Sequence, residues 1–147
     1  MKDLSKEDGA IEWLGVLYKT ILGPEESGGT MSIVDSLSPE GSGPPRHIHH
    51  NEDETFVILT GRCRVWIDGH EQILSAGESA FIPKGKEHTF KVLEGAPCRH
   101  LVILTPGGFE GFFDEMAKGQ FAIPDDMPAI IEAGSRHNLT FTGPPLD

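Results

Sequence analysis

Hydrophobic residues along this chain occur mostly in short runs of four to seven residues, and turn-forming residues separate the runs. Few windows show the 3.6-residue repeat of an amphipathic helix, so the pattern predicts an all-β barrel or sandwich. Asp68-Gly69 lies between two of the runs and is typical of a type I′ hairpin. The predicted strands cover residues 13–18, 30–35, 54–59, 62–67, 72–74, 79–82, 89–93 and 98–105.

A helical repeat follows the last predicted strand. Phe109, Phe112, Phe113 and Met116 are spaced to form one apolar face, which predicts a short helix that ends near Gly119. Such a helix is too short to be stable alone and must pack on the barrel. It could pack on the closed outer surface as a structural clasp, which is the simpler interpretation, or cover the barrel mouth as a lid. The tail beyond it is predicted to be irregular.

The length of 147 residues is that of one domain. We expect an N-terminal arm (residues 1–12), a barrel (13–105) and a C-terminal helix with its tail (106–147). The net charge of −11 argues against binding nucleic acid or an anionic membrane. No apolar run approaches the ~20 residues of a membrane span, and no secretory signal follows Met1. Two cysteines are too few for a disulfide framework, so we expect a cytoplasmic protein with reduced thiols.

The strand at residues 54–59 carries apolar side chains on both faces, whereas a solvated barrel strand should alternate with polar residues. Trp66 is also expected on an outer surface. Either the N-terminal arm or a second subunit should cover this apolar surface, and we expect a homodimer.

The candidate chemistry lies in residues 47–54, where His47 and His49 are two positions apart. On an extended backbone both imidazoles point to the same face and can bind one divalent transition metal together. A carboxylate after a short bend could add a third ligand, and Glu52, Asp53 and Glu54 are all available. A third imidazole from another strand would complete a His₃Glu set. The structural alternative is a hydrogen-bonded polar cluster at the barrel mouth.

The remaining histidines and the cysteines have simpler interpretations. His50 is adjacent to His49, faces the other way and is expected at the surface, as is His70 in the predicted hairpin. His100 alternates with Val102 and Leu104, which predicts a core or pocket-lining histidine. Cys63 is predicted to be a small buried hydrophobe rather than a nucleophile.

Two spaced motifs in this region resemble those of the cupins. The first cupin motif, G-x5-H-x-H-x4-E-x6-G, matches without a gap, and the second matches at four positions, although Val92 replaces its final Asn. The matching residues are Gly41, His47, His49, Glu54, Gly61, Gly77, Pro83, Gly85 and His88.

The resemblance implies a small antiparallel jelly-roll barrel with a metal inside it. It assigns His47, His49, Glu54 and His88 as ligands of one divalent metal, with ligand distances of about 2.0–2.3 Å. Fe, Mn, Ni, Cu and Zn all suit such a set. Glu52 and Asp53 do not fit the motif spacing and are interpreted as solvated turn charges.

Among the cupins, the chain is similar to quercetin-dioxygenase-like proteins, which implies a metal-dependent oxidoreductase acting on a small phenolic or enolisable substrate. Glu54 would then be both a ligand and the catalytic proton acceptor. Phe56, Phe81 and Phe90 are the candidates for the pocket lining. Two alternatives stay open: a non-catalytic cupin that binds or senses a small ligand, and an isomerase of small polar metabolites, which the apolar pocket candidates disfavour.

Overall fold

Two antiparallel sheets pack face to face, as the strand pattern predicts. The computed structural model describes residues 1–147. The strands are β1 (Ile11–Trp13), β2 (Val16–Leu22), β3 (Ser32–Ser38), β4 (Arg46–His49), β5 (Asp53–Thr60), β6 (Cys63–Ile67), β7 (His70–Leu74), β8 (Ser79–Ile82), β9 (His88–Val92), β10 (Cys98–Thr105) and β11 (Leu139–Gly143).

Strands distant in the sequence are neighbours in both sheets. One sheet has six strands in the order β1-β2-β3-β10-β5-β8, and the other has five in the order β11-β4-β9-β6-β7. All strand pairs are antiparallel. The predicted all-β jelly-roll architecture is therefore confirmed.

The core lies between the two sheets and follows the alternation of the strands. In β5 the inward positions carry Glu54, Phe56 and Ile58, while the intervening residues are only half-buried. Val65 of β6 and Val92 of β9 are fully buried on the facing sheet. Alternate residues of a strand point to opposite faces, so each strand contributes one row of side chains to the interior.

Two hairpins illustrate the turn chemistry. Asp68 and Gly69 both have positive φ, 48° and 89°, and join β6 to β7 as the sequence predicted. The predicted single strand at residues 13–18 is wrong, because Leu14 and Gly15 also adopt positive φ and form a tight turn between β1 and β2. Consecutive positive φ values match the twist of a hairpin rather than a continuous strand.

The C-terminal region contains more structure than the sequence predicted. The expected helix is present as α2 (Glu110–Gly119), after a short α1 (Pro24–Ser27) earlier in the chain. The prediction of an irregular tail is wrong, because α3 (Met127–Arg136) and the strand β11 follow. The strand β11 pairs with β4 and extends the five-stranded sheet. None of the helices combines the length and the apolar character that crossing a membrane would require.

The outer surface is covered in part by the chain itself. In the N-terminal arm Leu4 is buried, and the carbonyl of Lys2 accepts a hydrogen bond from Arg99 on β10. Trp66 is half-buried, because the guanidinium of Arg46 lies 4.8 Å from its ring centroid. The outer face of the six-stranded sheet around Val57 and Phe81 has no such cover from the arm, and Phe81 is 58% exposed.

Candidate metal centre

Four side chains from three strands and both sheets meet inside the sandwich. His47 and His49 lie on β4, His88 on the neighbouring β9, and Glu54 on β5 of the opposite sheet. His47 and His88 are direct cross-strand partners. The end of β4 is held by Gly85, whose backbone N–H donates to the carbonyl of His49 at 2.8 Å. The second motif therefore both supplies a side chain and positions the strand of the first.

The four side chains converge on one point. Nε2 of His49 is 3.0 Å and Nε2 of His88 is 3.1 Å from the same carboxylate oxygen, Oε2 of Glu54. The ring centroids of His47 and His88 are 4.3 Å apart. All four residues are buried. The structure thus brings together the four residues that the sequence assigned as metal ligands.

The outer nitrogens of two of these imidazoles have fixed partners. Nδ1 of His47 is 2.7 Å from the carbonyl oxygen of Pro45, and Nδ1 of His88 is 2.9 Å from that of Lys86. A carbonyl oxygen can only accept, so Nδ1 carries the proton in both rings. This leaves Nε2, the atom that points to the centre of the cluster, to bind a metal through its lone pair, as in other histidines that bind metals; in His88 the metal would displace the proton that Nε2 shares with Oε2 of Glu54.

For the third imidazole the group nearest to the outer nitrogen is a carboxylate, which lies just beyond hydrogen-bond distance. Oε1 of Glu52 lies 3.6 Å from Nδ1 of His49, and both side chains are 4% exposed. The interpretation of Glu52 as a solvated turn charge is therefore wrong. The bend between β4 and β5 turns it inward, whereas Oδ1 of Asp53 accepts the backbone N–H of Lys84 near the surface. The motif spacing gave no indication of this, because Glu52 does not occupy a ligand position.

Electrostatics within the cluster favour an ionised carboxylate. Burial alone would raise the pKa of Glu54, but His49 and His88 outweigh it and hold the pKa well below its usual value. Burial lowers the pKa of His47 to about 3, helped by the neighbouring imidazoles. Burial would also lower the pKa of His49, yet the two nearby glutamates raise it to about 9. The cluster therefore contains a carboxylate and at least one neutral imidazole at neutral pH.

The donor set fits a divalent transition metal. All four donor atoms lie within 4.8 Å of one another. Ligands at about 2.0–2.3 Å on opposite sides of an ion are about 4–4.6 Å apart, so small side-chain adjustments suffice. Three imidazoles and one carboxylate suit Fe, Mn, Ni, Cu and Zn, and leave positions open on a six-coordinate ion.

The cluster opens into a cavity of about 530 Å³ between the sheets, within the usual size range of small-molecule pockets. Phe56 and Phe90 line it, as the sequence predicted. Phe81 does not, and that prediction is wrong. Phe81 pairs with Thr55, which faces outward, while its neighbours Ala80 and Ile82 are the buried residues of β8.

Further aromatic residues of the cavity come from both ends of the chain. Trp13, Tyr18 and Phe141 line it, together with three phenylalanines of the α2 region: Phe109, Phe112 and Phe113. The ring of Phe109 packs edge-on against His49, with centroids 4.4 Å apart. The helical repeat correctly predicted that these rings are buried by packing. Of the two predicted positions for the helix, the structure shows the one beside the metal cavity.

The remaining histidines and Cys63 lie in the positions that their simpler interpretations predicted. His50 is exposed and bonds the hydroxyl of Thr140, and His70 is exposed. His100 is buried and lines the cavity away from the four ligands. Cys63 is buried, and its neighbour Cys98 together with burial raises the pKa of its thiol, which disfavours a nucleophilic role.

Comparison with known proteins supports the resemblance to the cupins that the two motifs indicate. Residues 34–104 match the family model described as cupin domain. A Bacillus subtilis protein named quercetin 2,3-dioxygenase is 30% identical over 97 residues, which cover 66% of this chain and 28% of the relative. An Aspergillus japonicus protein of the same name is 28% identical over 105 residues, which cover 66% of this chain and 29% of the relative. The chain thus spans less than a third of the length of these relatives.

Solved structures agree on the fold. KdgF from Halomonas sp. superposes with a TM-score of 0.57 at 19% identity, covering 73% of this chain and 86% of that one. A predicted oxalate decarboxylase from Thermotoga maritima gives a TM-score of 0.59 at 22% identity, covering 62% and 80%. Taken with the family match and the paired motifs, these likenesses show that residues 34–104 of this chain form a cupin domain, with a buried His₃Glu cluster between its sheets.

Proposed function

We propose that this cupin is a metal-dependent, dioxygenase-like oxidoreductase that acts on a small aromatic substrate with a phenolic or enolic oxygen. The observation that carries the proposal is the His₃Glu cluster beside a cavity whose wall includes eight Phe, Tyr and Trp side chains. The distant relatives named quercetin 2,3-dioxygenase support the reaction class. When bound, a divalent metal would supply Lewis-acid polarisation and a template for an anionic oxygen.

The residues of the chain have separable tasks in this proposal. His47, His49, Glu54 and His88 would hold the metal. Glu54 is kept ionised by its imidazole neighbours, so it can accept a proton from a substrate hydroxyl that enters beside it. Phe109 and the other aromatic side chains of the cavity wall would limit the access of water once a substrate is bound, which would strengthen the electrostatic interactions inside it.

The proposal is tested by loading the protein separately with Fe, Mn, Ni, Cu and Zn and measuring oxygen uptake with quercetin and with catechol as substrates. We expect uptake with at least one redox-active metal, equal in amount to the substrate lost, because a dioxygenase transfers both oxygen atoms to its substrate. The Glu54→Gln variant should lose this uptake. Substrate binding without oxygen uptake for any metal would contradict the proposal and favour the non-catalytic binding protein.

Conversion of a substrate without oxygen uptake would instead favour the isomerase. Nothing in the cavity supports that alternative, because the charged groups that line it belong almost entirely to the metal cluster, and the exception, Glu40, is exposed at the rim.

A further inference from the structure

A second group of polar side chains lies in the same cavity, away from the metal ligands. It consists of Ser36 and Ser38 on β3 and His100 on β10, all buried and all lining the cavity. His100 is the direct cross-strand partner of Ser36. We call these three residues the Ser-His site. The metal cluster does not use them, and the core does not require polar residues there.

The imidazole of His100 has only part of its hydrogen-bonding capacity satisfied. Nε2 lies 3.1 Å from Oγ of Ser38, and Nδ1 makes no hydrogen bond within the protein. The rings of Phe56 and Phe90 pack edge-on against it, with centroids 5.6 and 5.4 Å away, and fix its orientation. Burial lowers the pKa of His100 to about 4, so the ring is neutral at physiological pH. A neutral imidazole offers one donor and one acceptor, and one of them is free.

The hydroxyl of Ser36 lacks hydrogen bonds more completely than the imidazole of His100 does. Its Oγ is buried and has no hydrogen-bond partner. Ser32 lies four residues earlier on the same inward face of β3. Its hydroxyl accepts a hydrogen bond from the backbone N–H of Gly108. A buried hydroxyl without a partner destabilises the fold, so an orphan of this kind calls for a specific explanation. A ligand in the cavity would supply the missing partner.

The Ser-His site and Glu54 of the metal cluster lie at different levels of the six-stranded sheet. Glu54 is paired with Leu104, and His100 lies four residues before Leu104 on β10. At about 3.4 Å per residue the two levels are about 14 Å apart along the strand. Phe56 and Val102, which are paired with each other, form an apolar level between them.

We propose that the Ser-His site binds a hydroxyl group on the far ring of an elongated, two-ring aromatic substrate whose other oxygen lies at the metal cluster. A hydroxyl both donates and accepts, and it can therefore satisfy Ser36 Oγ and the free nitrogen of His100 together. The apolar middle level matches the rings, and the two polar ends fix the direction in which the substrate enters. This inference rests on the proposed function and names its substrate class more narrowly.

The test uses two probes that differ in one hydroxyl, 4-phenylcatechol and 4-(4-hydroxyphenyl)catechol. Binding to the zinc-loaded protein is measured by calorimetry, because zinc has no redox chemistry that would consume the probes. The wild-type protein should bind the hydroxylated probe about tenfold more tightly, the effect of roughly one well-made hydrogen bond. The Ser36→Ala variant should lose most of this preference while binding 4-phenylcatechol as before.

The same variant gives a readout that is independent of binding. Removing the orphaned hydroxyl of Ser36 should leave the unliganded protein at least as stable as the wild type, because no hydrogen bond is lost. The matched control is Ser32→Ala on the same strand face. It loses the bond from Gly108 and should melt at a lower temperature, with the probe preference unchanged.

The outcomes separate this inference from the proposed function. Equal affinities of the wild-type protein for the two probes would overturn the Ser-His site and leave the proposed oxygenase chemistry standing. A preference that depends on Ser36, found in a protein that consumes no oxygen with any metal, would support the site and overturn the proposed reaction. Failure of both probes to bind would overturn both.

Discussion

The carboxylate of Glu52 faces the imidazole of His49 from outside the metal cluster, with Oε1 3.6 Å from Nδ1. The separation is too long for a hydrogen bond, and neither atom has a hydrogen-bond partner elsewhere in the protein, although both are buried. An imidazole that binds a metal through Nε2 usually donates its other N–H to a carbonyl or a carboxylate, which orients the ring and increases its basicity. His47 and His88 use backbone carbonyls for this purpose, and Glu52 is the side chain placed to take this role for His49 if the two close by a few tenths of an ångström.

The first prediction concerns that residue. The Glu52→Gln variant should bind zinc about tenfold more weakly, at the lower end of the 10- to 100-fold losses known for such outer partners, because the amide lacks the charge. Competition with a chromophoric chelator measures the affinity. The control is Asp53→Asn, which removes a neighbouring charge that contacts only the backbone N–H of Lys84. Equal affinities for the two variants would show that Glu52 does not support His49.

The second prediction compares two adjacent histidines. The His49→Ala variant should lose most of its bound metal after dialysis, because three of the four ligands remain and one open side admits water. The His50→Ala variant should keep its metal, since that exposed ring bonds only Thr140. Elemental analysis measures both, with circular dichroism to establish that the fold is intact. Full metal content in His49→Ala would remove this residue from the ligand set.

The third prediction addresses the wall that α2 contributes to the cavity. Phe109 is 4% exposed and contacts both His49 and Phe112. The Phe109→Ala variant should lower the free energy of unfolding by about 3–5 kcal/mol, the usual cost of removing a buried phenylalanine. It should also admit bulkier aromatic ligands to the metal cavity. Chemical denaturation measures the loss, and Ile131→Ala on the exposed side of α3 should change the stability by less than about 0.5 kcal/mol.

The fourth prediction concerns self-association. We propose that a second copy covers the outer surface around Val57, Leu101, Ile103 and Phe81, because these apolar side chains lie on three neighbouring strands of the six-stranded sheet and Phe81 is largely exposed. Trp66 no longer supports a dimer, since Arg46 covers it within one chain. Light scattering should find a dimer for the wild-type protein and a monomer for Phe81→Glu.

The matched control for the dimer is Ile73→Glu, which places the same charge at a similarly exposed residue, 56% against 58%, on the other sheet. It should stay dimeric. A wild-type protein that is monomeric at micromolar concentration would rule out the second copy as the cover of this surface.

The fifth prediction is a pH dependence in the contact between α2 and α3. The carboxylate of Glu115 accepts hydrogen bonds from Arg136 and His137, and these hold its pKa below the usual 4.5. A pKa that is lower in the folded state stabilises the fold above about pH 4.5 and loses this contribution as the pH falls through the folded value. The effect is small, because the side chain is 38% exposed.

Melting temperatures of the wild type and Glu115→Gln should therefore differ slightly near neutral pH and converge in acid. The Glu132→Gln variant serves as the control, because its carboxylate is 77% exposed and bonds only Arg136. A difference between wild type and Glu115→Gln that grows towards low pH would contradict the assignment.

Most of the strands and the shared face of His47 and His49 could be predicted because they depend on local order, whereas Glu54 and His88 were assigned as ligands through the resemblance to the cupin motifs. Alternation places His47 and His49 on the same side, and the spaced glycines mark the turns. Alternation does not say which side of a strand is the inner one, so Phe81 was assigned to the wrong face. That choice is made by pairing with β5, a long-range contact.

Other features depend on the whole fold. The strand β11 is a short edge strand whose partner lies far earlier in the chain, and α3 buries mainly Ile130 and small residues, which leave a weak pattern. The inward turn of Glu52 occurs at a bend, where alternation has no meaning. The polar residues Ser36 and His100 each resemble an ordinary strand residue in sequence, and only the pairing of β3 with β10 places them side by side.

The pairing of β4 with β11 also orders events during synthesis of the protein. The strand that carries His47 and His49 shares a single residue pair with β9, and its longer ladder is with Leu139–Gly143, which leave the ribosome last among the strands. A nascent chain that already contains all four ligands thus lacks the longer of the two ladders that hold β4, although its pairing with β9 and the bond from Gly85 are already available. We therefore expect the metal to bind tightly only after β11 has paired.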